Sequence, residues 1–370
     1  MIVGVAREVR YQEYRVGLTP AGAARLVGDG HQVVIAAGAG RAAGFPDDEY
    51  VSRGARVVLL NEDVFQQSDL LVKFHAPTEG EVPCLHEGQI LFASMHLATQ
   101  PDLARALLER RVTAIAYETV AVDDRLPIVR PMSEIAGRMA VQVGAQLLHK
   151  VAGGKGVLLG GVTGVPVGNV VILGAGTVGT HAGRVADGMG ARVFVLDVDL
   201  ERLARVDEIF GGRVNTIFAD ASTIEQHVRT ADLLVGAVQD RGRRTPVVVP
   251  ASLVARMEPG SVIVDVSVDQ GGCVETIRPT THGNPTYVHS GVVHYGVPNM
   301  PGAVARTSTL ALTNATIGYV SRLASQGLAA AVRADPALAA GLNTHAGCMV
   351  HRTVAEALGL RAEPMDWVLD

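Results

Sequence analysis

At 370 residues the chain exceeds what one ordinary hydrophobic core organises, so two domains are expected. A composition of 48% hydrophobic and 19% charged residues places the chain with globular rather than disordered proteins, and a net charge of −5 gives no general electrostatic basis for holding nucleic acid or an anionic membrane. Three scattered cysteines, Cys84, Cys273 and Cys348, fit neither a disulfide framework nor a paired-cysteine zinc site.

The opening MIVGVAREVR is broken by Arg7, Glu8 and Arg10 and does not read as a signal peptide. No apolar run reaches the roughly 20 residues of a membrane span, so the protein reads as cytoplasmic. Short apolar runs at 1–6, 31–36, 56–59, 69–73, 89–93 and 114–117 read as strands, and segments such as 19–29 and 47–54 read as helices. This alternation predicts an α/β fold with parallel sheets covered by helices.

A long helical pattern runs from Ser133, a residue able to cap it, to about residue 151, and a glycine-rich stretch at 153–161 follows. A second series of strands is expected at 170–173, 192–196, 215–218, 233–237 and 262–266, with helix returning at 307–325. The order predicts a nucleotide domain, 131–302, inserted into a first domain made of 1–130 and 303–370. No internal repeat is visible. The basic cluster Arg241, Arg243 and Arg244 reads as a solvated loop.

The strongest motif is Gly174-Ala175-Gly176-Thr177-Val178-Gly179, which follows an apolar strand and opens a helix. Gly174 permits the tight turn, Gly176 lets the backbone approach a pyrophosphate, and Gly179 allows close helix–sheet packing. Asp197 lies 197 − 179 = 18 residues beyond Gly179, at the end of the next strand. Its carboxylate accepts from ribose hydroxyls and repels a 2′-phosphate, so NAD is expected rather than NADP.

Candidates for the chemistry stand after strands. His96 follows 89–93 and is placed for general acid–base work, although a structural histidine fits the same spacing. Asp269 precedes Gly271-Gly272 and suits either a water-positioning carboxylate or a turn residue. Arg15 is a candidate carboxylate clamp, although most lone arginines are solvated. The twelve histidines show no metal-ligand spacing, and no metal is expected.

Taken together, Glu13-Tyr14-Arg15-Val16, Gly88-Gln89-Ile90-Leu91-Phe92 with His96, Ala116-Tyr117-Glu118-Thr119, Pro131-Met132-Ser133-Glu134, the glycine loop, 265–272, Asn299-Met300-Pro301 and Thr307-Ser308-Thr309 carry a resemblance. Over nearly its whole length the chain resembles the alanine dehydrogenase family, whose architecture is shared with the NAD-binding subunit of proton-translocating transhydrogenase. The resemblance implies two Rossmann-like domains and reversible NAD-dependent deamination of L-alanine to pyruvate and ammonium, in a homohexamer. It implies Arg15 on the substrate carboxylate, His96 as acid–base, Asp269 positioning water or ammonia, and Ser133, Gly174, Gly176, Gly179, Asp197, Asn299 and Met300 lining the NAD site.

One position departs. Where the family's strand ends in a substrate-contacting lysine, this chain has His75 in Leu71-Val72-Lys73-Phe74-His75. Histidine is shorter and mostly neutral at pH 7. Lys73, two residues earlier, is expected on the same strand face and so able to substitute in part. The alternative this position raises is a related L-amino acid dehydrogenase for a different 2-oxo acid; a separate alternative, from another class, is a non-catalytic NAD-binding, transhydrogenase-like protein.

Overall fold

Continuous apolar runs such as Leu70-Leu71-Val72 and Val170-Val171-Ile172-Leu173 are buried on both faces, as parallel strands covered by helices require. The structure, a computed structural model, describes residues 1–123, 125–239 and 244–366, so Arg241 and Arg243 lie outside the described residues. The chain divides into two compact units, Met1–Met132 with Gly302–Asp370, and Ser133–Pro301.

The first unit contains β1 (Ile2–Val5), β2 (Gln32–Ala36), β3 (Arg56–Val58), β4 (Leu70–His75), β5 (Ile90–Ser94) and β6 (Thr113–Ala116). The second holds β7 (Asn169–Leu173), β8 (Arg192–Asp197), β9 (Asn215–Phe218), β10 (Leu233–Gly236), β11 (Val262–Asp265), β12 (Thr286–His289) and β13 (Val292–Tyr295). Two last strands, β14 (Leu342–His345) and β15 (Cys348–Met349), return to the first sheet, whose order is β15-β14-β6-β5-β4-β1-β2-β3. The second sheet runs β12-β13-β11-β10-β7-β8-β9. Among the described residues the antiparallel strand pairs are β12–β13, β14–β15 and β14–β6, and the other pairs are parallel. The expected α/β class holds.

Each sheet reverses its winding once. In the first, β1 leads outward to β2 and β3, and β4 then lies on the other side of β1. In the second, β7 leads to β8 and β9, and β10 flanks β7 on the other side. A crevice therefore opens at the carboxyl ends of β1 and β4, and another at those of β7 and β10.

The segment after β1 is anchored by the helix Ala305–Gln326. The backbone N–H groups of Val16 and Thr19 donate to the hydroxyls of Thr309 (3.2 Å) and Thr313 (3.0 Å) on that helix. Thr19 in turn caps Pro20–Gly28 by accepting from the Gly22 N–H, with Pro20 preset for the first turn.

Two expectations are corrected. The long helix spans Arg130–Leu147, so Ser133 lies within its first turn and is not its cap. Pro131 fits that turn because its missing N–H has no intrahelical partner to lose. The hairpins β12–β13 and β14–β15 were not among the expected strands. Their two-residue turns, Ser290-Gly291 and Ala346-Gly347, have positive φ at both positions, as the twist of a tight hairpin favours.

In the second unit, β13 buries His294. Its Nδ1 donates to the Val292 carbonyl at 2.9 Å, its Nε2 lies 2.7 Å from the Thr276 hydroxyl, and Tyr287 stacks on the ring. Burial lowers its pKa below the usual imidazole value. The unfolded chain therefore takes up this proton first as pH falls, so the stability is intact above the ordinary histidine range and lost below it. Thermal unfolding of the parent and of His294→Gln, compared between about pH 7.5 and 5.5, is expected to show a smaller acid loss of midpoint in the variant.

Candidate active site

Charged side chains fill the β1–β4 crevice. Arg15, 1% exposed, is held through Nε (2.6 Å) and Nη2 by the two carboxylate oxygens of Glu13, and its guanidinium lies 3.4 Å over the Phe74 ring. His75 Nε2 is 2.7 Å from Glu13 Oε2 and 3.2 Å from Arg15 Nη2. One nitrogen cannot both donate to the carboxylate and accept from the guanidinium, so the shorter, charge-assisted bond to Glu13 fixes Nε2 as the donor. Burial pushes the Glu13 carboxyl up, but hydrogen bonds and charge from Arg15 and His75 outweigh it and hold the group well below the usual carboxylate range.

Lys73 lies apart from this group. Its ammonium is fully buried, 3.0 Å from Glu81 and 3.5 Å from Glu8. The expectation that it shares a face with His75 is corrected by the register, since Val72 pairs with Phe92 but His75 pairs with Ser94. The extra residue is a bulge, which breaks the alternation between positions 73 and 75. Glu8 links the two indirectly, because its Oε1 accepts the backbone N–H of Phe74 (2.7 Å) and of His75 (3.4 Å).

His96 follows β5 and is exposed, with φ 49°, a left-handed conformation unusual for a residue with a side chain. Glu118, just past β6, stabilises that turn by accepting the backbone N–H of Met95 (3.2 Å) and of His96 (2.5 Å). Among the expected residues the structure thus brings Arg15 and His75 together and sets His96 at the end of the next strand. Glu8, Glu13, Ser94 and Glu118 complete the arrangement. Of these, Glu13 and Glu118 stood inside the sequence motifs, and being carboxylates after strands was the only signal that marked them.

In the second unit the glycine loop joins β7 to the helix Thr177–Gly188. Gly174 has φ +107°, and a Cβ there would lie 2.4 Å from the Ala237 carbonyl oxygen. At Gly179 a Cβ would come within 1.8 Å of the Gly174 oxygen. These two glycines are demanded by the protein's own backbone. Gly176 differs, because a Cβ there meets nothing within 4 Å. It needs no glycine for internal packing, and its open space at the helix N-terminus is what a pyrophosphate would occupy.

Asp197 ends β8 and is nearly buried. Its Oδ2 accepts the Ala175 N–H at 2.6 Å and its Oδ1 the Asp199 N–H at 2.9 Å, so the carboxylate expected to meet the ribose also fixes the loop. The residues present therefore fit a dinucleotide. Asp269 is exposed in the 3-10 helix Val266–Gln270 rather than in a simple turn. Buried Asp265 organises that segment, accepting from the N–H groups of Ser267 (2.9 Å), Cys273 (2.7 Å) and Val274 (3.1 Å). Asn299, at φ 61°, accepts from His282 Nε2 through its carbonyl at 3.4 Å, and Met300 is buried. Among the described residues no group of three or more His, Cys, Asp or Glu is disposed to hold a metal ion, and no helix is long and apolar enough to cross a membrane.

Family models for "Alanine dehydrogenase/PNT, N-terminal domain" and "Alanine dehydrogenase/PNT, C-terminal domain" match residues 4–136 and 140–352. The chain belongs to the alanine dehydrogenase/PNT family. An alanine dehydrogenase of Methanococcus maripaludis is 50% identical over 100% of both chains, and one of Halomonas elongata is 48% identical over 97% of each. A solved L-alanine dehydrogenase superposes with a TM-score of 0.95 at 50% identity, covering 97% of this chain and 99% of that one. A transhydrogenase from Sinorhizobium meliloti, 24% identical over 95% of this chain and 99% of its own, superposes with a TM-score of 0.82 and shares the fold.

Gly176→Ala should leave the thermal midpoint unchanged while weakening NADH binding in calorimetry at least tenfold, about 1.4 kcal/mol, whereas Gly179→Ala should lower midpoint and affinity together. Lys73→Met leaves Glu8 and Glu81 buried without their cation, and should cost about 3–5 kcal/mol in urea unfolding, with part of the loss recovered by adding Glu81→Gln.

Proposed function

We propose that the chain is an NAD-dependent alanine dehydrogenase, converting L-alanine, NAD and water into pyruvate, ammonium, NADH and a proton, and running the reductive amination in reverse. One observation carries the reading from geometry. A buried arginine held by Glu13, its histidine neighbour and an exposed histidine, Arg15, His75 and His96, stand beyond β1 and at the ends of β4 and β5, on a chain that also carries a glycine loop with open space at Gly176. Full-length likeness to alanine dehydrogenases at 48–50% identity supports the substrate.

When bound, NAD supplies the hydride acceptor; binding, orientation and proton movement fall to the side chains. Gly174, Gly176 and Gly179 would hold the pyrophosphate and Asp197 the adenosine ribose, with Ser133, Asn299 and Met300 lining the remainder. Arg15, backed by Glu13, would take the substrate carboxylate. His96 would exchange the proton of the substrate oxygen as the carbinolamine forms and breaks down, and Asp269 would position water or ammonia. Lys73 would act through Glu8 on the backbone of His75 rather than on the substrate.

On this reading Met1–Met132 with Gly302–Asp370 is the substrate domain and Ser133–Pro301 the NAD domain. The family resemblance further supports a cytoplasmic homohexamer with no nucleic-acid partner.

A second reading, a related L-amino acid dehydrogenase for another 2-oxo acid, is favoured by one observation. His75 directs its Nε2 to Glu13, so a substrate contact through that nitrogen competes with an internal bond. Initial rates of NADH oxidation with ammonium and pyruvate, glyoxylate or larger 2-oxo acids separate the two. Pyruvate should be preferred by the parent, and His75→Lys should lower its KM by about ten- to a hundredfold, the worth of one charge-assisted hydrogen bond of about 1.5–3 kcal/mol. A parent that uses another 2-oxo acid far better, with pyruvate restored by lysine, would establish the second reading instead.

A further inference from the structure

We propose that Ser94 is a positioning residue for His96, setting which ring nitrogen exchanges the substrate proton; the inference rests on the reading of His96 as the acid–base. Ser94 is the last residue of β5 and is half-buried. Its Oγ lies 3.0 Å from His96 Nε2 and donates to Glu118 Oε2 at 3.4 Å. The same Glu118 accepts the backbone N–H groups of Met95 and His96, so one carboxylate holds the turn and terminates the side-chain relay.

The proton order follows from what each group can do. A carboxylate only accepts, and a charge-assisted bond is the stronger outlet for the serine proton. Ser94 Oγ–H is therefore directed to Glu118, and the serine lone pairs receive Nε2–H of His96. The relay fixes the imidazole as its Nε2–H tautomer and leaves the Nδ1 lone pair as the basic site. An exposed ring two residues beyond a strand would otherwise rotate and mix tautomers, and an acid–base acts only from the correct one. Ser94 also pairs with His75 across the strands, so an effect passed through substrate binding would appear in KM.

The test uses the full chain and has two arms. In steady-state kinetics Ser94→Ala should lower kcat about tenfold, the scale of one orienting hydrogen bond, with KM for pyruvate and for NADH within about twofold, and Ser94→Thr, which keeps the hydroxyl, should recover most of kcat. Parental kcat in Ser94→Ala, a loss confined to KM, or a threonine variant no better than alanine would overturn the proposal. The second arm needs no turnover. In protein labelled with nitrogen-15 histidine, the His96 signals, assigned by their absence in His96→Gln, should show the Nε2–H tautomer in the parent and a mixture in Ser94→Ala. An Nδ1–H ring in the parent, or identical signals in both proteins, would refute it. Undiminished turnover in His96→Gln would instead sink the acid–base reading itself, leaving the tautomer result to decide the role of Ser94 separately.

Discussion

Where a parallel strand bulges or ends, backbone N–H groups lose their ladder partners, and here carboxylates collect them. Glu8 accepts from Phe74 and His75, Glu118 from Met95 and His96, Asp197 from Ala175 and Asp199, and Asp265 from Ser267, Cys273 and Val274. A buried N–H left without a partner costs about 1–3 kcal/mol, so each carboxylate stabilises one particular loop path. The loops that carry the candidate chemistry take their shape from these bonds. The arrangement also supplies negative charge at the ends of both sheets, which the cations Arg15 and Lys73 offset in the first.

That balance explains why the two cationic clusters are not interchangeable. Glu13 orients Arg15 by a two-point contact and takes His75 as a second donor. Lys73 is committed to Glu8 and Glu81 in a fully buried site. Moving a buried ammonium to serve a ligand would strand two carboxylates, a penalty of several kcal/mol that a single substrate contact does not offset. A histidine at position 75 thus changes the site in two ways. It shortens the side chain, and it ties the distal nitrogen to Glu13, and neither effect is compensated by the neighbouring lysine.

Much of the fold was legible because buried parallel strands are continuous apolar runs. The reading of 215–218 coincides with β9, and those of 170–173 and 192–196 differ from β7 and β8 by one residue each. The hairpin strands Thr286–His289 and Val292–Tyr295 were less visible, since the first exposes Val288 and His289 without a clean alternation, the second puts a histidine, His294, in a buried position, and only Ser290-Gly291 announced the turn. The glycine loop was legible for a local reason, its whole geometry being set by a few adjacent residues. The charged constellation was not, because its partners are far apart in sequence: 62 residues separate Glu13 from His75, and 22 separate His96 from Glu118. The bulge that parts Lys73 from His75 leaves no mark in composition or period, and strand alternation alone gives the wrong face.

The account stands or falls on whether this set of strand-end side chains, with the dinucleotide loop, oxidises alanine. The most direct measurement incubates the purified parent chain with NAD and L-alanine and quantifies NADH, pyruvate and ammonium together, with D-alanine and with NADP as parallel reactions. The account predicts equal amounts of all three products from L-alanine with NAD, and little or none when either the enantiomer or the phosphorylated cofactor is substituted. NADH binding with no product from L-alanine or any other L-amino acid would contradict it, and would make the chain a nucleotide-binding protein that has kept the fold without the reaction.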